Sequence, residues 1–188
     1  MLCIISIACF AQKKIGTYTS SYFDHSYDVE YSTKTKDYYI QIQGLMPSQK
    51  IYFILESSKV DEFRKALADA KEKYEEWSKV AKENNVSKFR KKMDISFPNG
   101  SVAWLGSEWR FCLYAKPKPS FVVTNDGLCT LSLFSDNKFA ASDNQYITVE
   151  AYWAFGSADD IEELDSLLDE SIINKLKENE AKTEDLFH

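Results

Sequence analysis

The sequence predicts an α+β fold, mostly antiparallel sheet in two halves, each followed by a helix. Three observations predict it. Segments alternating apolar and polar residues lie on both sides of one long stretch with helical spacing. Aromatic residues make up 14% of the 188-residue chain, with 11 Tyr and 12 Phe, and such richness favours pleated sheet. Turn signals separate the alternating segments. The length suits one domain.

The first eleven residues stand apart. Residues 2–10 are apolar or small, too short a run to span a bilayer but suited to the core of a signal peptide. Cys9-Phe10-Ala11 has a small-x-small pattern, so cleavage is expected between Ala11 and Gln12, although a basic n-region is missing. Two other readings of the same run are a buried first strand and lipoprotein processing at Cys9, for which Ser6 stands where Leu is usual. The expectation is an exported protein of the periplasm, cell envelope or extracellular space, with a single domain over 12–188 and a polar tail at 179–188.

Residues 15–56 read as strands. The runs 26–32 and 37–43 both alternate, and Thr33–Lys36 between them reads as a hairpin tip. Gly44 and Pro47 mark the next turn. Residues 51–55 are apolar on both faces, which suggests a central strand. The period then changes. Val60, Phe63, Leu67, Ala70, Tyr74, Trp77 and Ala81 fall at steps of three and four, one helix stripe that should lie across a sheet. A coiled coil would use the same spacing. Ser58 is the expected cap, with Asp61 in the first turn.

Strand chemistry returns over 91–155. Pro98–Gly100, Lys116–Pro119 and Asn125–Gly127 read as turns or tips. In the run 109–115, Trp109, Phe111 and Leu113 share one face, which points Cys112 the other way, outward, with Arg110 and Tyr114. Cys129 alternates with Leu131 and Leu133 and is expected in the core, so no bridge between the two cysteines is expected. Ile147, Val149, Ala151, Trp153 and Phe155 form one face of a long strand ended by Gly156. A second helix carries Ile161, Leu164, Leu168, Ile172 and Leu176, with Asp159, Asp160, Glu162 and Glu163 in its first turns, where the helix dipole favours acids.

The two halves, 13–88 and 89–178, echo each other. A shift of 101 pairs Tyr52 with Trp153, Ile54 with Phe155, Val60 with Ile161, Phe63 with Leu164 and Leu67 with Leu168. A shift of 83 pairs Tyr38 with Phe121, Ile40 with Val123 and Gly44 with Gly127, while Tyr31 and Tyr114 fall on opposite faces. A duplicated strands-then-helix unit resembles the Whirly and PC4-like single-stranded-DNA-binding fold, in which a curved four-stranded sheet precedes each helix. The resemblance covers most of the mature chain and rests on element order. The Lys-Gly-Lys-Ala type of segment found in Whirly proteins has no counterpart here.

The inventory of reactive groups narrows the function. His25 sits in a strand and His188 is the last residue, which leaves no Ser-His-Asp or Cys-His set. Cys112 and Cys129 lack His or Cys partners at zinc-ligand spacing. No glycine-rich phosphate loop occurs among the six glycines, so no cofactor is expected. Carboxylates remain. Asp94, Glu108, Asp136, Asp143 and Glu150 lie in or near strands, and a glycan-active enzyme would use two of them. Capping explains the acids of the second helix better than calcium, since the loop spacing of a calcium site is missing.

Charge is uneven. The span 59–92 holds eleven basic and seven acidic residues, whereas 157–188 holds three and eleven. Lys88, Arg90, Lys91 and Lys92 cluster after the first helix; favourable placement near a helix C-terminus and a solvated loop account for them, with an anion site as the alternative. Lys34 and Lys36 on one tip, and Lys116 and Lys118 on another, are flanked by aromatics: Tyr31, Tyr39, Tyr114 and Phe121. Cations beside aromatics can hold a polyanion or a single strand. Hairpin lysines also blunt edge pairing, and a net charge of −6 opposes nucleic-acid binding. The function expected is therefore a non-catalytic exported domain that binds a protein partner or an envelope component. Polyanion binding at the four lysines ranks second and a carboxylate-based glycan enzyme third. N-terminal sequencing of the protein recovered from its native envelope should begin at Gln12 or close by; intact Met1 in a cytosolic fraction is the opposite outcome.

Overall fold

The computed structural model describes residues 12–46 and 48–185, with side chains described as far as Glu178. The expected signal segment, residues 1–11, and Cys9 with it, lie outside the described residues. Four strands come first: β1 (Gln12–Ser20), β2 (His25–Ser32), β3 (Asp37–Gly44) and β4 (Ile51–Glu56). Helix α1 (Val60–Glu83) follows. Then come β5 (Phe89–Lys92), β6 (Gly100–Leu105), β7 (Trp109–Ala115), β8 (Ser120–Val123), β9 (Cys129–Ser132), β10 (Lys138–Ala140), β11 (Thr148–Tyr152) and β12 (Ala154–Phe155). Helices α2 (Ala158–Leu167) and α3 (Glu170–Asp185) complete the order. The class is α+β with antiparallel sheets. No helix among the described residues is long and apolar enough to cross a membrane.

The strands build two sheets. The first runs β1-β2-β3-β4-β6-β7, with β11 beside the end of β3 and β10 beside β11. The second runs β12-β9-β8-β5. The expected halves therefore match only roughly, because the later strands divide between the sheets. The reason lies in β4. Its residues Ile51, Tyr52, Phe53 and Leu55 are buried on both faces, so it needs a neighbour on each side and takes β3 and β6. The echo of the two halves does not extend to strand order: β3 and β4 are neighbours, while their counterparts β8 and β12 are separated by β9. Tyr31 is buried and Tyr114 is 83% exposed.

The long helix follows its stripe. Six of the seven stripe residues are buried, and Trp77 is half-buried. Trp77 packs edge-on against Phe121 of β8, and the Lys91 ammonium lies 4.3 Å from its ring centre. The start differs from expectation. The expected cap, Ser58, lies inside a 3-10 turn over Ser57–Lys59 that precedes α1, so Lys59 is the cap residue and no side chain caps the helix; the neighbouring Ser57 Oγ donates to the Lys36 carbonyl.

Several local expectations are corrected by tertiary contacts. Pro98–Gly100 is no turn: residues 93–99 are extended coil and Gly100 begins β6. A Cβ on Gly100 would sit 2.4 Å from the Ile54 carbonyl oxygen, so glycine is there for close approach to β4. Lys116–Pro119 is a crossover, not a hairpin tip, since β7 pairs with β6 in one sheet and β8 with β9 in the other. Asn125–Gly127 does turn the β8–β9 hairpin, with Gly127 at φ +85°.

The faces of β7 are exchanged. Its register sets Cys112 opposite Val102 and Arg110 opposite Trp104, whose side chains are buried, so Cys112 packs against the core. Trp109 and Leu113 point outward and are exposed. Cys129 is buried in β9, so the two free thiols belong to different sheets.

The expected single strand 147–155 breaks at Trp153. Tyr152 pairs with Gln43 in the first sheet, whereas Ala154 pairs with Ser132 in the second. The expected second helix also breaks. The amides of Leu168 and Asp169 bond three residues back, to Asp165 and Ser166, and the Asp169 carboxylate accepts the Ser171 amide at 3.0 Å to begin α3. After the break Ile173 is buried in place of Ile172. The helical backbone continues through most of the expected polar tail, to Asp185.

One carboxylate ties the ends of the chain together. Asp160 is 5% exposed. Its Oδ2 accepts the Ser21 amide and hydroxyl, each at 2.8 Å, and the Gly156 amide at 2.9 Å. Its Oδ1 accepts the Ser157 hydroxyl at 2.5 Å, while its own amide donates back to Ser157 Oγ at 3.2 Å, a capping arrangement for α2. Asp160→Ala strands the Ser21 and Gly156 amides and should cost about 2–4 kcal/mol. Asp160→Asn, which keeps an acceptor, should cost roughly half of that. Chemical denaturation of the two variants beside the wild type checks the order.

Candidate functional site

A cleft of about 440 Å³ opens where the two sheets part. Its first wall is the β1–β2 turn. Ser20 Oγ donates to the Ala154 carbonyl at 2.6 Å, and Ser21 is held by Asp160. Those anchors fix Tyr22 and Phe23 at the mouth, with their rings edge to face at 4.9 Å. A second wall is the end of β3, Gln43–Leu45, with Tyr152–Ala154 beside it where the chain changes sheets. The floor is the second sheet, represented by Val122, Thr130, Ser132 and Arg90.

Most polar groups of the lining have protein partners. Gln43 Oε1 accepts the Tyr27 hydroxyl at 2.6 Å, and its amide nitrogen donates to the Gly44 carbonyl at 2.6 Å. Thr130 and Ser132 donate to the Val122 and Phe134 carbonyls, which leaves acceptor capacity on both hydroxyl oxygens. Tyr152 donates to Glu150 at 2.9 Å. Arg90 differs. Its Nε donates to Ser120 Oγ at a long 3.4 Å, and among the described residues no carboxylate comes within ion-pair distance. The other two arginines of the chain each hold two carboxylates: Arg64 binds Asp165 and Asp169, and Arg110 binds Glu108 and Asp143. Arg90 is the only ionised residue in the lining, which contains no carboxylate, imidazole or thiol.

The lysines singled out from the sequence lie elsewhere. Asp37 pairs with Glu56, Ile54 with Ser101 and Gly100 with Ala115, so the tip with Lys34 and Lys36 shares one end of the first sheet with Lys116. Three strand spacings, roughly 14 Å, separate β3 from β7. All four lysines are exposed; Lys118 pairs with Asp136 at 3.4 Å, and Lys116 donates to Ser96 at 3.0 Å. Four of the candidate acids are also engaged: Glu108 and Asp143 with Arg110, Asp136 with Lys118, and Glu150 with Tyr152. No group of three or more His, Cys, Asp or Glu among the described residues is arranged to hold a metal ion. His25 is exposed at the start of β2, with its ring 4.9 Å from that of Tyr27.

Sequence reasoning found Arg90 as part of the 88–92 cluster and missed Tyr22, Phe23 and Tyr152. No local signal marks those three as a group, since the lining comes from six separate stretches of chain. The fate of the 88–92 cluster was also not legible. Strand β5 turns Arg90 and Lys92 to one face of the second sheet, and Lys91 to the other, over Trp77.

No family model, curated protein or solved structure matches the chain. The functional argument therefore rests on the cleft.

The outer face of the first sheet carries a row of rings, with Tyr39 and Tyr52 6.3 Å apart and Tyr52 and Trp109 6.0 Å apart. Tyr52 also donates to Glu30 at 3.4 Å, and burial holds the Glu30 carboxyl above the usual range. Burial pushes the hydroxyls of Tyr27, Tyr38, Tyr52 and Tyr74 each up to about 12. An unfolded tyrosine titrates near 10. The stabilisation from these hydroxyls is complete below that value and is lost as pH rises through about 12, because the unfolded chain releases protons that the folded chain keeps. Stability should hold up to about pH 10 and then fall steeply. Tyrosinate absorbance of the native protein should lag behind that of the denatured chain; coincident titration curves would contradict this.

Proposed function

We propose that this chain is an exported, non-catalytic binding domain whose ligand enters the cleft between the two sheets. The observation that carries the reading is the composition of the lining: rings and hydroxyls around one guanidinium that has no carboxylate partner among the described residues. Mostly apolar concavities of some hundreds of cubic ångströms with a few oriented polar groups are the usual form of small-ligand sites. Export is the part of the proposal that rests on residues 1–11, and a cell-envelope component is the ligand that accords with it.

Polyanion or single-strand binding at Lys34, Lys36, Lys116 and Lys118, the use that accompanies a Whirly-like element order, has one supporting fact. Three of the four lysines, Lys34, Lys36 and Lys116, share one end of a sheet. Against it stand the Asp136 partner of Lys118 and the acidic total. A glycan hydrolase would place two carboxylates across the cleft, and the lining holds none.

The test is retention on the native envelope fraction, measured by co-sedimentation of the purified mature protein. Wild type should sediment with the fraction, as should a variant with all four lysines changed to Ala. Ser132→Trp, which fills the cleft floor, should stay in solution with an unchanged unfolding transition. Loss on removing the lysines, with Ser132→Trp retained, would transfer the function to the tips. Release of sugar fragments during incubation would restore the enzyme reading.

A further inference from the structure

Granting that the cleft is the binding site, we propose that it takes an acidic oligosaccharide, a sugar ring bearing a carboxylate, and that Arg90 receives that carboxylate. The inference begins with the contrast among the arginines. Arg64 and Arg110 are each saturated by two carboxylates of the chain, whereas both terminal nitrogens of Arg90 have no acceptor among the described residues. A guanidinium is a planar fork whose geometry matches a carboxylate, and the paired bonds are charge-assisted. No acid in the lining competes for it.

The number of charges favours one carboxylate per ring over a chain of phosphates. A nucleic acid or other polyphosphate is held by a track of cations. The lining supplies Arg90 alone, with Lys92 on the same face of β5, in a protein of net charge −6. The remaining groups suit a sugar. Tyr22, at the mouth, is 38% exposed, with the Phe23 ring edge to face with it, and an exposed aromatic ring of this kind suits the C–H face of a pyranose. On the floor, the oxygens of Thr130 and Ser132 have already spent their protons on carbonyls and can accept sugar hydroxyls. Tyr152 is committed to Glu150 and serves as wall.

The experiment compares two probes that differ only in the carboxylate: trigalacturonate and neutral galactotriose, titrated calorimetrically into the mature protein. Trigalacturonate should bind roughly tenfold or more tightly than galactotriose, as expected for a charge-assisted pair. Arg90→Ala should remove that difference, and Arg90→Lys, which keeps the charge but loses the fork, should restore part of it. Tyr22→Ala should weaken both sugars alike. Arg90 is exposed and makes one long hydrogen bond, so these variants should unfold like wild type. Equal affinity for the two sugars overturns the acidic ligand and leaves the cleft as a neutral site. No binding of either sugar, with envelope retention still abolished by Ser132→Trp, overturns the sugar and leaves the binding reading. Tighter, Arg90-dependent binding of a short single-stranded DNA or of inorganic phosphate overturns it in favour of a phosphate ligand.

Discussion

Everything in this fold turns on where Trp153 sits. At that residue the chain leaves the first sheet and joins the second, and the indole fills the space between them. Its ring lies 5.1 Å from Phe53 of β4, 5.8 Å from Phe63 of α1, 5.9 Å from Phe134 and 6.4 Å from Phe155 of β12. Each such pair adds roughly 0.5–1.5 kcal/mol beyond the area it buries. One side chain thus joins both sheets and the long helix. The same crossing opens the cleft, because two sheets sharing one strand path must diverge on either side of it.

The second constraint is electrostatic. The acidic helix α2 and the cations spaced along α1 look like separate features of composition, yet they are partners. Arg64 reaches Asp165 and Asp169 across more than a hundred residues of sequence, and Lys71 reaches Glu162. The hydrogen bonds that Arg64 donates to Asp165 lead the causes that hold its guanidinium in the charged form, above its ordinary range. The Asp169 carboxyl is held below its range first by the Ser171 hydrogen bond and then by Arg64. Exposed pairs of this kind stabilise weakly; here they bridge α1 to α2 and to Asp169 just beyond it. On α2 the buried Asp160 holds the amide and hydroxyl of Ser21, next to Tyr22 and Phe23.

Arg64 and Lys71 of α1 are engaged by acids at and just beyond α2. Arg90 has no carboxylate partner among the described residues, and the proposed use of the cleft rests on that contrast.

The sequence by itself determined the class, the β2–β3 hairpin, the central position of β4, the helix stripe and the β8–β9 turn. Each of these is set by a period or a turn residue within about twenty positions, and burying one face is enough to enforce it. Only the tertiary structure decided the rest. The register with β6 turned Cys112 inward and Trp109 outward, although Trp109, Phe111 and Leu113 form the more apolar face of β7. Contact with the Ile54 carbonyl, not a turn, accounts for Gly100. Trp153 broke an alternation that runs unchanged through nine residues, because the two ends of that run pair with different sheets. The cleft was illegible for the same reason: Tyr22, Arg90, Ser132 and Tyr152 meet only once the sheets part, and no spacing along the chain encodes a meeting between strands so far apart.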